Sequence, residues 1–568
     1  MFKTSSESFI KGAKLNIPNT TIYGFLLRRS AINASPIVAR CHEEELSLSR
    51  LESESEIYAK AFRKLGVKEG EIVPLCLPPC NEAIVAFFAL NRIGAVCTFV
   101  SAASSMDELK GYVRRFGSKL MVVSAAHAHE LPSIIEECSL SRSVVITPED
   151  SLGMVRDPGA LTRAFLATSA PVPQHKRILS LTAFRSLGKN AVGNPDASED
   201  KDRAAFIAYT SGTTGDPKAI LLSNENIIAE VQSLKATLIQ FGPRGNALQV
   251  VPFNYPYGFI VSTLFPMFVG RTASLTPMLT LSGVLDYLKM YRPYLTLAIP
   301  SFYSYMLNAP EFENADLSFL KYAISGGDKL DTVEKERINA FFRHHGSSCR
   351  INDGSGNGEG CGALTNTAAL FRKYNYTSIG HVNYGVSVKF VDAEGRTVPM
   401  GKTGRFCFAG QNVMMEYYNA PRETAEVLYR DADGVTWFHT DTLGHMDADG
   451  WVYFDGRERR FFITFDASGS PYKVYCDHVQ DVVKNSGLVE ACAVVQTPDP
   501  VRCLLPKAYI RVAKGMDFNE AVNSIRAYCE KELQSYAAPV SYVAISDLPL
   551  TAAGKVDYRA LERDAVSA

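Results

Sequence analysis

The run "RAAFIAYTSGTTGDPKAILLSNENIIAEVQSLKATLIQ", residues 203–240, decides the reading of the fold. Its first eight residues are mostly apolar, as in a strand covered on both faces. Residues 224–240 place apolar side chains at helical spacing, behind Ser223 or Asn224 as the N-terminal cap. Between strand and helix stands "SGTTGDPK", residues 211–218. Here Gly212 and Gly215 free backbone amides, while Ser211, Thr213, Thr214 and Lys218 add hydroxyls and an ammonium. Such a set suits the oxygens of a polyphosphate. It is not a Walker loop, because the two glycines are too close together and Lys218 follows Pro217 rather than Gly.

Upstream, helix and strand patterns alternate. Residues 48–67, 81–95 and 106–117 have helical periodicity; 71–77, 96–101 and 119–125 read as strands. This order predicts a largely parallel sheet clothed by helices. Residues 150–203, rich in Pro, Ser, Gly and charge, read as a surface excursion. Downstream, "GRFCFAG" (404–410) and "GWVYFDGR" (450–457) are short strands of a smaller β element. After the basic-aromatic run 458–465 and a polar turn, the remaining residues show a βαβ pattern of their own, so domains of 1–459 and 460–568 are expected.

Composition narrows the function classes. With 46% hydrophobic and 21% charged residues, the 568-residue chain is an ordinary globular protein of more than one packing unit. Fifty-nine basic against 60 acidic residues leave no overall field for a nucleic-acid partner. The twelve cysteines form no CxxC pair, which fits buried thiols in a reducing compartment. The start "MFKTSSESFIKGAKLNIP" lacks the apolar core of an export signal, and Asn91 and Arg92 interrupt the longest apolar stretch, 84–100. A cytoplasmic protein without a membrane span is expected.

Four segments in order carry a resemblance over roughly residues 45–565: "YTSGTTGDPK" (209–218), "NDGSGNGEG" (352–360), "WFHTDTLGHMDADGWVYFDGR" (437–457) and "LPLTAAGKVDYRAL" (548–561). With them the chain resembles the adenylate-forming superfamily of acyl-CoA synthetases, peptide-synthetase adenylation domains and luciferases. The resemblance implies an α/β fold, with helix-flanked β-sheets and a small β-barrel element in a large N-terminal domain, and a small mobile α+β C-terminal domain. It implies ATP, Mg2+ and coenzyme A or a phosphopantetheine as cofactors. Thr210, Ser211, Gly212, Thr213, Thr214, Gly215 and Lys218 would hold phosphate. Glu359, with Thr214, would support the metal. Asp353 and Ser355 would face adenine, and Asp441 and Thr442 the ribose. Arg457 and Lys555 would act in adenylation, and Arg460 would be the hinge.

Several positions depart from the family pattern. Ser355 stands where an aromatic residue is usual, Gly358 where Thr is common, and the usual "TGD" reads Thr440-Asp441-Thr442. Past the hinge, Pro471 precedes Tyr472 where Gly is expected, with Gly469 as a substitute. The resemblance also implies an acyl pocket built on 251–259, 298–303 and 324–330, with Asn254, Tyr255, Tyr257, Gly326 and Gly327 as substrate residues and Phe259 and Phe302 as further aromatic walls. Peptide-synthetase domains typically carry an Asp at position 254 to pair with an α-ammonium; Asn254 disfavours an amino acid, since a buried ammonium without a counter-ion is costly. Three readings stand: an acid:CoA ligase for an apolar fatty or aryl acid, an enzyme loading an acyl carrier protein, and a degenerate nucleotide-binding member.

Overall fold

The computed structural model describes residues 7–28, 36–153, 158–210, 217–238, 245–278, 280, 283–327, 330, 332–368, 374–457, 460–465, 471–499, 502–551 and 555–567. Two large sheets dominate. The first has eight strands in the order Glu416–Tyr417, Ala219–Ser223, Ala204–Tyr209, Val96–Phe99, Ile72–Cys76, Leu120–Ser124, Arg142–Ile146 and Ile178–Ser180. It is parallel except at Ala219–Ser223, which runs antiparallel to both of its neighbours. The second has nine strands, whose parallel centre includes Asn246–Gln249, Leu295–Ala298, Tyr322–Gly326 and Ile351–Ser355.

Helix Asn81–Arg92 is buried at all twelve positions and packs against a strand of each large sheet, Val96–Phe99 and Ile37–Cys41. A helix apolar on every side belongs in such a place. The two residues that interrupt its apolar run have partners. Asn91 Oδ1 accepts the Tyr23 N–H at 2.9 Å, and its Nδ2 donates to Asn224 Oδ1 at 2.7 Å. Arg92 Nε donates to Asp196 at 2.7 Å, and its guanidinium lies 4.5 Å from the Tyr23 ring centroid. Asn224 also accepts the Ile22 N–H and donates to Asp200 O, so one buried amide links three chain segments. Ser223, rather than Asn224, caps the following helix, Asn224–Thr237, in a reciprocal box with Asn226.

Residues 150–203 are more than a surface excursion. They supply the edge strand Ile178–Ser180 and the helices Ala160–Leu166 and Leu181–Lys189. Phe184 is buried against Tyr58 and Phe62, with ring centroids 5.3 and 4.8 Å apart. The small β element is a six-stranded antiparallel sheet that includes Ser387–Val391, Gly404–Ala409, Thr436–Met446 and Val452–Arg457.

From Arg460 onward the chain forms a small α+β unit with its own core, including Phe462, Val479, Val494, Ile510 and Ile525. Strands Val489–Asp499, Cys503–Val512 and Ser541–Ala544 make its main sheet. The irregular run after Arg460 forms an antiparallel pair of strands, Phe461–Phe465 with Pro471–Tyr475; Gly469 lies outside the described residues. No helix among the described residues is long and apolar enough to cross a membrane.

Replacing Asn91 by Leu strands the Tyr23 N–H and removes a donor from Asn224 in a dry interior. Each unsatisfied group costs about 1–3 kcal/mol. Asn91→Leu is therefore expected to lower the first thermal unfolding transition by several degrees in differential scanning calorimetry, despite its greater hydrophobicity.

Candidate active site

The phosphate-type loop leaves the first sheet through a narrow neck. The Thr210 N–H donates to Lys218 O at 3.1 Å, and the Lys218 N–H donates to Thr210 Oγ1 at 2.9 Å. Two bonds between the same residues fix the ends of the turn. Ser211, Gly212, Thr213, Thr214 and Gly215 lie outside the described residues. Lys218 Nζ sits 4.6 Å from the centroid of the Tyr417 ring. This cation–π contact turns the ammonium toward a cleft of ≈ 1090 Å³ that Thr210, Lys218, Glu359, Arg457 and Lys555 all line.

Glu359 stands in the short turn Gly358–Gly360, whose N-cap Asn357 accepts the Gly360 N–H at 3.0 Å. Its side chain is buried, and Oε1 accepts the Tyr417 hydroxyl at 2.6 Å. Burial pushes this carboxyl above the ordinary glutamate range; the Tyr417 hydroxyl and Lys218 oppose that, and Asp441 adds to it. Two acidic groups thus lie within electrostatic reach at the cleft. Among the described residues no group of three His, Cys, Asp or Glu side chains gathers to hold a metal. Of the carboxylates that line the cleft, Glu359 and Asp441 are within electrostatic reach of each other, and a hard cation such as Mg2+ takes one or two of this kind.

Asp353 and Ser355 occupy strand Ile351–Ser355 and line the same cleft. Asp353 is buried and ion-paired with Lys335, whose Nζ also donates to Tyr376 O at 2.6 Å. Across the cleft, Thr440 Oγ1 donates to Phe406 O at 2.7 Å and accepts the Thr442 N–H at 3.0 Å. Asp441 and Thr442 both line the cleft.

The C-terminal unit closes one side. Lys555 accepts the Thr551 N–H through its backbone carbonyl at 2.7 Å. Its Cε lies 3.9 Å from where a Cβ on Gly327 would stand. Gly327 itself has φ +88°, a left-handed conformation that favours glycine. At the join, Asp477 accepts the Arg457 N–H at 3.1 Å and pairs with the Arg460 guanidinium. Arg460 also donates to Val494 O at 2.8 Å and stacks 3.4 Å from the Tyr558 ring centroid, three residues beyond Lys555. Burial pushes the Asp477 carboxyl up, against the pull of Arg460 and Arg457.

The residues expected to form an acyl pocket are spread between the cleft and the core. Tyr255, Tyr257 and Gly327 line the cleft. Tyr257 begins a π-helical segment, Tyr257–Leu264, and donates to Ala298 O at 3.3 Å. Gly326 stands behind it: a Cβ there would come within 2.9 Å of the Tyr257 ring. Asn254 accepts the Tyr209 N–H through its backbone carbonyl and is not part of the lining. Phe259 and Phe302 are core residues, not pocket walls. Phe259 is wholly buried against Phe87, Phe99, Phe206 and Phe253, and Phe302 packs on Tyr303.

Sequence reasoning missed Tyr417, Lys335 and Asp477. Tyr417 lies in the two-residue edge strand Glu416–Tyr417, where Glu416 is exposed and Tyr417 buried. That one-in, one-out alternation within "MMEYYNA" is the only local trace of its role.

Comparison with known proteins gives the family and the fold. Residues 28–418 match the family model "AMP-binding enzyme", and 478–555 match "AMP-binding enzyme C-terminal domain". A long-chain-fatty-acid–CoA ligase of Escherichia coli O6:H1 is 24% identical, over 92% of this chain and 90% of that protein. Another from Bacillus subtilis is 23% identical, over 96% and 95%. In fold, the crystal structure of the anthranilate CoA ligase AuaEII with anthranoyl-AMP superposes with a TM-score of 0.79 at 20% identity, covering 97% of this chain and 98% of that one. A strand-neck loop ending in Lys218, a buried Glu359 and a C-terminal lysine turn meeting in one cleft, under a family model that spans most of the sequence, place this chain in the AMP-binding enzyme family.

Proposed function

We propose that the protein activates an apolar fatty or aryl carboxylic acid with ATP and transfers the acyl group to coenzyme A. The observation that carries this reading is the convergence of Lys218, Glu359, Arg457 and Lys555 on one cleft, drawn from both the large and the small unit. The CoA ligase names of the relatives support the thiol acceptor. They also speak against the carrier-protein alternative.

A carboxylate oxygen attacks the α-phosphorus in line, the bond to the bridging oxygen breaks, and pyrophosphate leaves with the electron pair. Catalysis here is mostly positioning and neutralisation of charge. Thr210, Ser211, Gly212, Thr213, Thr214, Gly215 and Lys218 hold the β and γ phosphates. Asp353 and Ser355 border the base, and Asp441 and Thr442 face the ribose. Glu359, with Thr214, supports Mg2+, which when bound screens the phosphates from the incoming anion. Lys555 reaches between the acyl carboxylate and the α-phosphate, and Arg457 flanks the same group. Tyr255 and Tyr257 offer aromatic faces to the acyl chain, Gly327 lines the wall beside them, and Gly326 and Asn254 support it from behind. In the second half-reaction the thiol sulfur attacks the acyl carbon and AMP departs. The small unit, 460–568, turns about Arg460 between the two steps, which withdraws Lys555.

The decisive experiment is pyrophosphate release with a panel of fatty, aryl and amino acids, each with and without CoA. Fatty or aryl acids should give CoA-dependent turnover. Tight ATP binding without turnover on any acid would sink the proposal. Lys555→Ala is expected to lower adenylation by at least about a hundredfold, while thioester formation from supplied acyl-adenylate stays within a few-fold. Equal loss of both steps would contradict the turning of the small unit. Tyr417→Phe removes a hydrogen bond to a charged group, worth about 1.5–3 kcal/mol, and should reduce kcat/KM for MgATP roughly tenfold or more, with the KM for the acid little changed.

A further inference from the structure

Glu230 lies in the middle of helix Asn224–Thr237 and is wholly buried. A carboxylate in such a place is costly unless donors meet it. Both oxygens are met: Oε1 accepts the Ala363 N–H at 3.1 Å, and Oε2 accepts Asn412 Nδ2 at 3.0 Å. Neither donor is near Glu230 in sequence. Burial pushes the carboxyl up to about 8, against the pull of these two bonds.

Each donor leads to Glu359. Ala363 closes the turn that starts at Gly358. Within that turn Cys361 has φ +61° and Gly362 φ +122°, so a non-glycine residue is held in the left-handed region. Strained backbone of this kind persists only where the surroundings over-determine it. Asn412 Nδ2 also reaches Gly360 O at 3.3 Å, and two residues later the Met414 N–H donates to Glu359 O at 2.7 Å. The same strip of chain continues to Tyr417, the donor to the Glu359 carboxylate. One turn earlier on the helix, Asn226 Nδ2 donates to Gln411 O at 2.8 Å and anchors the start of the strip.

We propose that Glu230 is a positioning residue for Glu359: its carboxylate holds the 358–363 turn and the 411–417 strip in the register that lets Tyr417 donate to Glu359. The inference rests on the reading of Glu359 as the group that supports MgATP. It assigns Glu230 no contact with substrate.

Glu230→Gln keeps size and burial but offers an amide where two donors need acceptors. The second variant, Glu230→Gln with Asn412→Asp, moves the carboxylate across the same contact and restores the bonds at position 230, giving up only the longer reach from 412 to Gly360 O. In the full-length protein, hydrogen exchange of the 357–366 peptide should quicken at least tenfold in the single variant and return toward wild type in the double. In ATP–pyrophosphate exchange at fixed ATP, the half-saturating Mg2+ concentration should rise about tenfold in the single variant, with the rate at saturating Mg2+ within threefold, and the double should recover. Unchanged exchange of the 357–366 peptide, an unchanged Mg2+ requirement, or a double variant no better than the single would overturn the proposal. If Glu230→Gln does not fold, Asn412→Ala with the same two measurements takes its place. Absence of pyrophosphate exchange in the wild-type protein would instead overturn the functional reading, and the peptide measurement alone would then decide the role of Glu230.

Discussion

Strand Ala219–Ser223 is the constraint on which the rest of the structure depends. It is the one strand that reverses direction among parallel neighbours of the first sheet, pairing with Ala204–Tyr209 on one side and Glu416–Tyr417 on the other. Its N-terminal end delivers Lys218, its C-terminal end caps the helix that carries Asn226 and Glu230, and its outer edge seats Tyr417. Antiparallel pairing needs only a short connection, whereas another parallel strand would have required a crossover of a dozen or more residues. A tight loop rich in donors can therefore leave and re-enter the sheet at the same edge, with its two ends tied at Thr210 and Lys218.

Buried polarity organises the interior as much as apolar packing does. Asn91 and Asn224 join the N-terminal segment to two helices, and Glu230 joins a helix to two loops. In each case a side chain satisfies backbone or amide groups from distant parts of the chain. Such contacts add modest net stability when complete and cost much more when broken. They define which arrangement of the elements is native, while the aromatic cluster around Phe259 supplies bulk.

Most of the fold and the ends of the site were legible in the sequence. The alternation over 48–125 encodes a parallel sheet because strand and helix have different apolar periods. Lys218, Glu359 and Lys555, which line one cleft, each stand in a short contiguous motif that marks them as candidates. Tyr417, Glu230 and Asp477 were not, since each acts on a residue 20 or more positions away and sits in an otherwise unremarkable local pattern. The excursion over 150–203 was misread because its few large apolar residues, Phe165 and Phe184 among them, are spread through a polar composition. Phe259 and Phe302 were read as pocket walls because an aromatic next to a pocket segment looks alike whether it faces inward or outward; only the turn of its helix decides.

Asp477 accepts a backbone N–H from one side of the join and a guanidinium from the other, with residues 458–459 between. Arg460 and Asp477 belong to the same small unit, whereas Arg457 ends a strand of the large one. The Arg457 N–H bond is a charge-assisted hydrogen bond, of a kind that contributes about 1.5–3 kcal/mol. One carboxylate thus ties together the backbone on the two sides of the join.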